Sequence, residues 1–183
     1  DRETALEAAS KLRMEFDVLP TVFSLDEALQ VGAPDVHADR PDNRLREIHL
    51  EKGSIEQGFT QSDLIIEETY ETPSIEHCYF EPDNGIILPK EDGQYILWIG
   101  CHSTYTEQQI VSDVLNIPKQ QVMVIQPYTG GSFGGKDDGL LTGYLALLAY
   151  YSKKPVRISF SRQELFISHT KRHPQKISLK MGF

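Results

Sequence analysis

The stretch richest in chemistry is Tyr128-Thr129-Gly130-Gly131-Ser132-Phe133-Gly134-Gly135-Lys136-Asp137-Asp138-Gly139. Two Gly-Gly pairs flank Ser132 and Phe133, and a lysine, two aspartates and a further glycine follow. Glycine at this density lets the backbone take positive φ and lets a ligand lie against bare peptide groups. Upstream, Gln121-Val122-Met123-Val124-Ile125 reads as a strand; downstream, Leu140 to Tyr151 reads as a buried helix. A strand, a glycine-rich turn and a helix start aim free N–H groups and the positive end of a helix dipole at one point, which suits an anion such as a phosphate. A tight connection without a ligand is the plainer alternative. The turn is not a P-loop, because no serine or threonine follows Lys136 at the required place. Gly131-Ser132-Phe133-Gly134 also fails the spacing of the dinucleotide fingerprint.

The other chemistry-bearing residue types are Cys78 and Cys101, each beside a histidine, in the pairs His77-Cys78 and Cys101-His102. Adjacent residues on a strand point to opposite faces, so each pair lends one ligand at most to a given ion. Neither pair has the spacing of a structural zinc site. Two thiols in 183 residues suggest a reducing compartment, hence the cytoplasm.

The elements that must position these residues follow from periodicity. Residues 3–13 read as an amphipathic helix through Ala5, Leu6, Ala9 and Leu12. Met14–Leu19 alternates as a strand that Pro20 stops. Ser24 caps a short helix through Leu29, with Glu27 placed for a capping box. Gly32 to Asn43 is polar and proline-rich, an exposed connection. Arg46 to Lys52 alternates as a strand, and Ile55 to Phe59 is a short helix. Leu64 to Thr72 is a strand whose Glu67, Glu68 and Glu71 read as a solvated face. Pro73 interrupts, and Ile75 to Glu81 follows.

Ile86–Leu88 and Tyr95–Ile99 form an apolar hairpin, with Asp92-Gly93 as the turn signal. Ser103 or Thr104 caps a helix to Asn116 with Ile110, Val111, Val114 and Leu115 as its buried face; Pro118 stops it. The helix after the glycine-rich turn is apolar nearly all round, which predicts burial on several sides. Pro155 to Ser161 is a strand, Arg162 to Ser168 a helix, and Gln175 to Met181 alternates again. The alternation from about residue 94 to 160 favours an α/β arrangement, α+β mixed overall, with a mixed sheet and crossover helices. The first 30 residues carry too little apolar surface to fold alone.

A chain of 183 residues is one large domain or two small ones. Its net charge of −9 argues against nucleic acid and against an anionic membrane surface as partners. No apolar run approaches the roughly 20 residues needed to cross a bilayer. Asp1-Arg2-Glu3-Thr4 is not a signal peptide, and the lack of an initial methionine makes it an unnatural start.

Gly130-Gly131-Ser132-Phe133-Gly134-Gly135-Lys136 resembles the Gly-Gly-x-Phe-Gly-Gly-Lys signature of the molybdopterin-binding subunit of the xanthine dehydrogenase and aldehyde oxidase family. Further segments agree in order. Phe16-Asp17-Val18-Leu19-Pro20 with Asp26-Glu27-Ala28-Leu29 is similar to the close of the family's hammerhead domain. Glu76-His77-x-Tyr79-x-Glu81 is similar to the segment that opens its molybdenum-binding region. Pro155-Val156-Arg157 and Arg172-His173-Pro174 match later landmarks. The resemblance implies the end of a hammerhead-like domain over 1–33, a linker over 34–47 and the first part of the cofactor-binding domain over 48–183.

Carried over residue by residue, the resemblance implies cofactor binding by His102, Gly131, Ser132, Phe133 and Gly134, with His102 and Phe133 near molybdenum but not ligating it. His102 stands where the family has a glutamine, and Asp137 where the purine-oxidising members have a substrate-binding glutamate. Asp137 is thus the implied substrate contact. The plainer readings are a satisfied loop histidine, a helix-start aspartate favoured by the dipole, and a Phe133 ring packed under the loop. The family's catalytic base lies beyond the position of Phe183, so the resemblance places no catalytic residue here.

The implied parent is a molybdenum hydroxylase that oxidises a purine, another N-heterocycle or an aldehyde. Its cofactors are molybdenum–molybdopterin here, with iron–sulfur clusters and FAD on other modules. Its partners are the remainder of the subunit, the iron–sulfur and FAD modules and a small-molecule substrate. The chain reads as a fragment, inactive alone. A non-catalytic anion-binding α/β module and a structural docking piece are the alternatives.

Overall fold

A computed structural model describes residues 2–183. Contacts divide the chain into two units: residues up to Glu68 together with Ser178–Phe183, and Thr69–Ile177.

The first unit holds α1 (Arg2–Ser10), α2 (Leu25–Ala28) and α3 (Ile55–Thr60). The capping box on α2 is present: Ser24 Oγ accepts from Glu27 N at 3.1 Å, and Glu27 Oε2 accepts from Ser24 N at 3.2 Å. Two of the helix's open donors are thereby closed. Met14–Leu19 and Arg46–Lys52, expected as strands, are irregular. Both have the right alternation, but a strand exists only through a partner for its N–H and C=O groups, and no described segment pairs with either. Phe16, Val18, Ile48 and Leu50 are accordingly exposed, and no described residue up to Glu68 is buried.

β1 (Ile65–Thr72) and β6 (Gln175–Gly182) pair as a two-stranded sheet, and the division between the units falls within both strands. The acidic face of β1 is solvated. Lys180 Nζ lies 3.2 Å from Glu67 Oε2, and Lys176 Nζ lies 3.6 Å from Glu71 Oε1. Such exposed pairs contribute little stability.

The second unit is built on a four-stranded mixed sheet of β2 (Asn84–Pro89), β3 (Tyr95–Ile99), β4 (Val122–Ile125) and β5 (Val156–Ser159), in the order β4-β3-β2-β5. β2 runs antiparallel to β3 and to β5; β3 and β4 are parallel. A parallel pair needs a crossover, and α4 (Thr104–Leu115) supplies it. The β2–β3 turn closes through Lys90 N to Gln94 O at 2.8 Å, with Gly93 at φ +82°. α5 (Leu140–Ser152) follows β4, and α6 (Arg162–Ser168) follows β5.

Ile87, Leu97, Ile99, Val111, Val122, Leu141, Leu145, Ala146 and Ala149 form the core between sheet and helices. Full burial of each large apolar side chain among them is worth roughly 1.5–3 kcal/mol. Two expectations need correction. In α4, Val111 is buried with Glu107 and Ser112, while Val114 is 40% exposed. Glu107 and Val111 lie one turn apart, and the face they share looks onto α5, where Thr142 binds the Glu107 carboxyl. In α5 the covered face is Leu141, Thr142, Leu145, Ala146 and Ala149, while Tyr144, Leu148 and Tyr151 are exposed.

Candidate functional site

Glu81 organises the glycine-rich loop. Its Oε2 accepts from Gly130 N and from Lys136 Nζ, each at 2.8 Å, and its own N–H donates to Gly130 O at 3.2 Å. Both ends of the loop are thus tied to one residue. A Cβ on Gly130 would lie 2.6 Å from Glu81 Cβ, so only glycine permits this approach. The Lys136 side chain is 3% exposed and its ammonium lies 4.8 Å from the Tyr79 ring centre. Burial raises the Glu81 carboxyl, but the hydrogen bonds from Lys136, Gly130 and Asn84 outweigh it, and the group ionises below the ordinary carboxylate range.

Between its tied ends the loop turns outward. Gly131, Phe133 and Gly134 have φ of +94°, +53° and +87°. The N–H groups of Gly131, Ser132, Phe133 and Gly134 make no hydrogen bond within the described chain, whereas Gly135 N donates to Ser132 O at 2.8 Å and Lys136 N to Ser132 Oγ at 3.1 Å. The Phe133 ring is exposed rather than packed under the loop.

The expected convergence of loop and helix end does not occur. A 3-10 turn, Gly135–Asp137, separates them, and the Leu140 N–H at the start of α5 is taken by Asp138 Oδ1 at 3.1 Å. Asp138 takes one donor of the helix start; the N–H groups of Leu141 and Thr142 make no hydrogen bond within the described chain.

His102 and Asp137 stand beside this edge. The structure brings them together, His102 Nδ1 to Asp137 Oδ1 at 3.1 Å. They line a hollow with Ser103, Thr106, Glu107 and Lys136. His102 is thus paired but largely exposed, and Asp137 sits in the 3-10 turn rather than in the first turn of α5. Glu107 forms the hollow's buried wall and accepts from Thr142 Oγ1. Burial pushes its carboxyl up, the Thr142 hydrogen bond pulls it down, and the carboxylates of Asp138, Asp83 and Asp137 add to the rise.

Several contacts under the loop carried no signal in the sequence. Tyr79 is fully buried and donates from its hydroxyl to Asp83 Oδ1 at 2.7 Å; burial and that bond hold its phenol far above the ordinary value. Arg162 donates to Tyr79 O and stacks over its ring. His169, buried, places Nε2 3.0 Å from Asp83 Oδ2. The Glu-His-x-Tyr-x-Glu segment is visible as a motif, but its contacts come from as far along the chain as Gly130, Arg162 and Lys171. Both cysteines are free; Cys78 is exposed, and burial pushes the Cys101 thiol up to about 11.

A row of open N–H groups on a loop that tolerates no side chain at Gly130 fits an anionic, acceptor-rich cofactor lying against the backbone. Comparison with known proteins identifies the family. The profile of the "Molybdopterin cofactor-binding domain" family matches residues 36–183. The chain is 36% identical over 183 residues to a probable xanthine dehydrogenase subunit of Bacillus subtilis (strain 168), covering 100% of this chain and 24% of that protein. It is 33% identical over 176 residues to "Nicotinate dehydrogenase large molybdopterin subunit" of Eubacterium barkeri, covering 96% of this chain and 41% of that one. The fold superposes on the aldehyde oxidoreductase of Desulfovibrio gigas with a TM-score of 0.87 at 19% identity, over 100% of this chain and 20% of the other. The chain thus spans well under half the length of these relatives. With its loop, its Glu81 tie and the match over 36–183 in place, the chain belongs to the molybdopterin cofactor-binding domain family.

Proposed function

We propose that this chain is part of the cofactor-holding subunit of a molybdenum hydroxylase, an enzyme that oxidatively hydroxylates a purine, another N-heterocycle or an aldehyde. The observation that carries the reading is the edge of free N–H groups from Gly131 to Gly134, held in place by Glu81 and Lys136. Molybdenum–molybdopterin, when bound, supplies the two-electron oxidation chemistry that no side chain here can supply.

The chain's own residues bind and orient. Gly131, Ser132, Phe133 and Gly134 donate from the backbone to the cofactor, a geometry fixed before binding and therefore cheap in entropy. His102 stands at the cofactor's side, where it donates one hydrogen bond. Asp137 faces the substrate with a shorter reach than a glutamate and shares a hydrogen-bonding position with His102 Nδ1. The names of the two relatives, xanthine and nicotinate dehydrogenase, favour a heterocyclic substrate over an aldehyde. Residues 1–33 are the end of a hammerhead-like domain, 34–47 the linker and 48–183 the opening of the cofactor domain. Iron–sulfur and FAD modules accept the electrons, in the cytoplasm. The 183 residues alone have no turnover.

The test is the molybdenum and pterin content of the full native polypeptide that carries residues 128–139, purified with whatever accompanies it. Stoichiometric molybdenum with pterin is the expected result. A metal-free and pterin-free protein from a cell that makes the cofactor would overturn the reading and leave an anion-binding module.

A further inference from the structure

We propose that Glu76, His77 and His169 form a binding site for one divalent first-row metal ion of the zinc class, separate from the cofactor loop's backbone edge. One ligand atom from each of the three lies within 4.8 Å of the other two. Two imidazoles and a carboxylate are a donor set suited to zinc, not to the all-oxygen preference of calcium or magnesium.

The second observation is the state of those atoms. The Glu76 side chain is 3% exposed and the His169 side chain 0%. Both Glu76 carboxyl oxygens, His77 Nδ1 and His169 Nε2 are buried without a hydrogen-bond partner of proper geometry. Glu76 Oε2 has the Lys171 ammonium at 2.8 Å and His169 Nε2 the Asp83 carboxylate at 3.0 Å; Glu76 Oε1 and His77 Nδ1 have no partner, and buried polar atoms in that state are costly unless something satisfies them.

His169 adds a directional argument. Its Nδ1 lies 3.3 Å from Thr170 O. Nε2 lies 3.0 Å from Asp83 Oδ2 and 3.8 Å from Asp138 Oδ2. A carbonyl and a carboxylate both only accept, so whichever nitrogen of the neutral ring lacks the proton faces an acceptor. Acceptors facing acceptors require a cation or a second proton between them. A ring whose far nitrogen donates to a backbone carbonyl is the usual posture of a metal-ligating histidine.

Lys171 is the competing cation. Its ammonium lies 2.8 Å from Glu76 Oε2 and donates to His169 O at 2.6 Å and to Leu165 O at 3.2 Å. Those contacts occupy Oε2, and the ion takes Oε1, which has no partner. Bonds of about 2.0–2.2 Å draw the three ligands together on binding. The ion would tie the segment before Glu81 to the chain that follows α6, through a His77 ring that a Cβ on Gly135 would meet at 3.0 Å.

The test loads the full native polypeptide with Zn²⁺ alone, passes it through gel filtration and counts zinc by mass spectrometry. Molybdenum is counted on the same sample, so a missing cofactor and a missing zinc ion are told apart. The expected result is about one equivalent of zinc in the unaltered protein and at least a tenfold loss of affinity in His77→Asn and in His169→Asn. Lys171→Met decides between the ion and the ammonium. With the repelling charge gone, zinc binds more tightly. If the ammonium and a proton on His169 are all the cluster needs, Lys171→Met binds no zinc, and the proposal is overturned. Equal zinc in the unaltered protein and in His77→Asn overturns it as well, and that variant decides alone if His169→Asn does not fold.

Discussion

At the scale of single residues, two carboxyls with opposite shifts set the pH behaviour. Glu81 ionises below the ordinary range of about 4.3, so its contribution to stability is present above that range and is lost as pH falls through its depressed value. Glu81→Gln leaves the Lys136 ammonium buried without its counter-charge. The expected cost is about 3 kcal/mol, read as a lower denaturant midpoint at pH 7. Glu107 runs the other way. Its carboxyl is raised, so the folded state disfavours the charge and loses stability as pH rises from the ordinary range through the raised value. Glu107→Gln keeps an acceptor for Thr142 and removes the charge. It is expected to raise the thermal midpoint, more at pH 8 than at pH 4.5, and an equal or opposite change would show that Glu107 does not carry a buried charge. Neither shift was legible in the sequence, because Lys136, Thr142 and Asp138 reach these carboxyls only across the fold.

At the scale of elements, the glycine-rich loop works because it is short of side chains at one place and tied at both ends. Gly130→Ala sets a Cβ 2.6 Å from Glu81 Cβ, and neither backbone can yield without releasing the other. The expected outcome is at least a tenfold loss of bound molybdenum with an unchanged far-ultraviolet spectrum; full cofactor retention would show that the loop's placement does not matter. Leu145 on α5 is the matching test of the core. It is fully buried, and Leu145→Ala should cost about 2–5 kcal/mol in denaturant unfolding without altering the loop. Most elements from residue 84 onward were legible, because the capping serine at 103, the Asp92-Gly93 turn and strong apolar runs are local signals. Met14–Leu19 and Arg46–Lys52 misled, because alternation announces a strand only when a partner is within reach.

At the scale of the whole chain, the apolar surface is unevenly covered. Phe16, Val18 and Phe23 are 75%, 88% and 87% exposed. Patches of this kind mark contact surfaces, and the proposed occupant is the rest of the subunit. The isolated 183 residues are therefore expected to self-associate, seen as a light-scattering mass above 20.8 kDa. A monodisperse monomer of that mass would count against the missing contacts. Among the described residues no helix is long and apolar enough to cross a membrane.

The sequence alone determined the α/β character from about residue 94 to 160, the anion-suited loop at 128–139 and, through ordered motifs, the family. These are properties of short windows, where backbone freedom, periodicity and capping act within a few residues. Only the tertiary structure decided that Glu81 clamps the loop, that His102 meets Asp137, that Asp138 takes the Leu140 N–H at the start of α5, and that Glu76, His77 and His169 converge. Each of these joins residues whose pairing depends on distance and burial. Desolvation, which makes those pairings strong, does not exist until the core has closed around them.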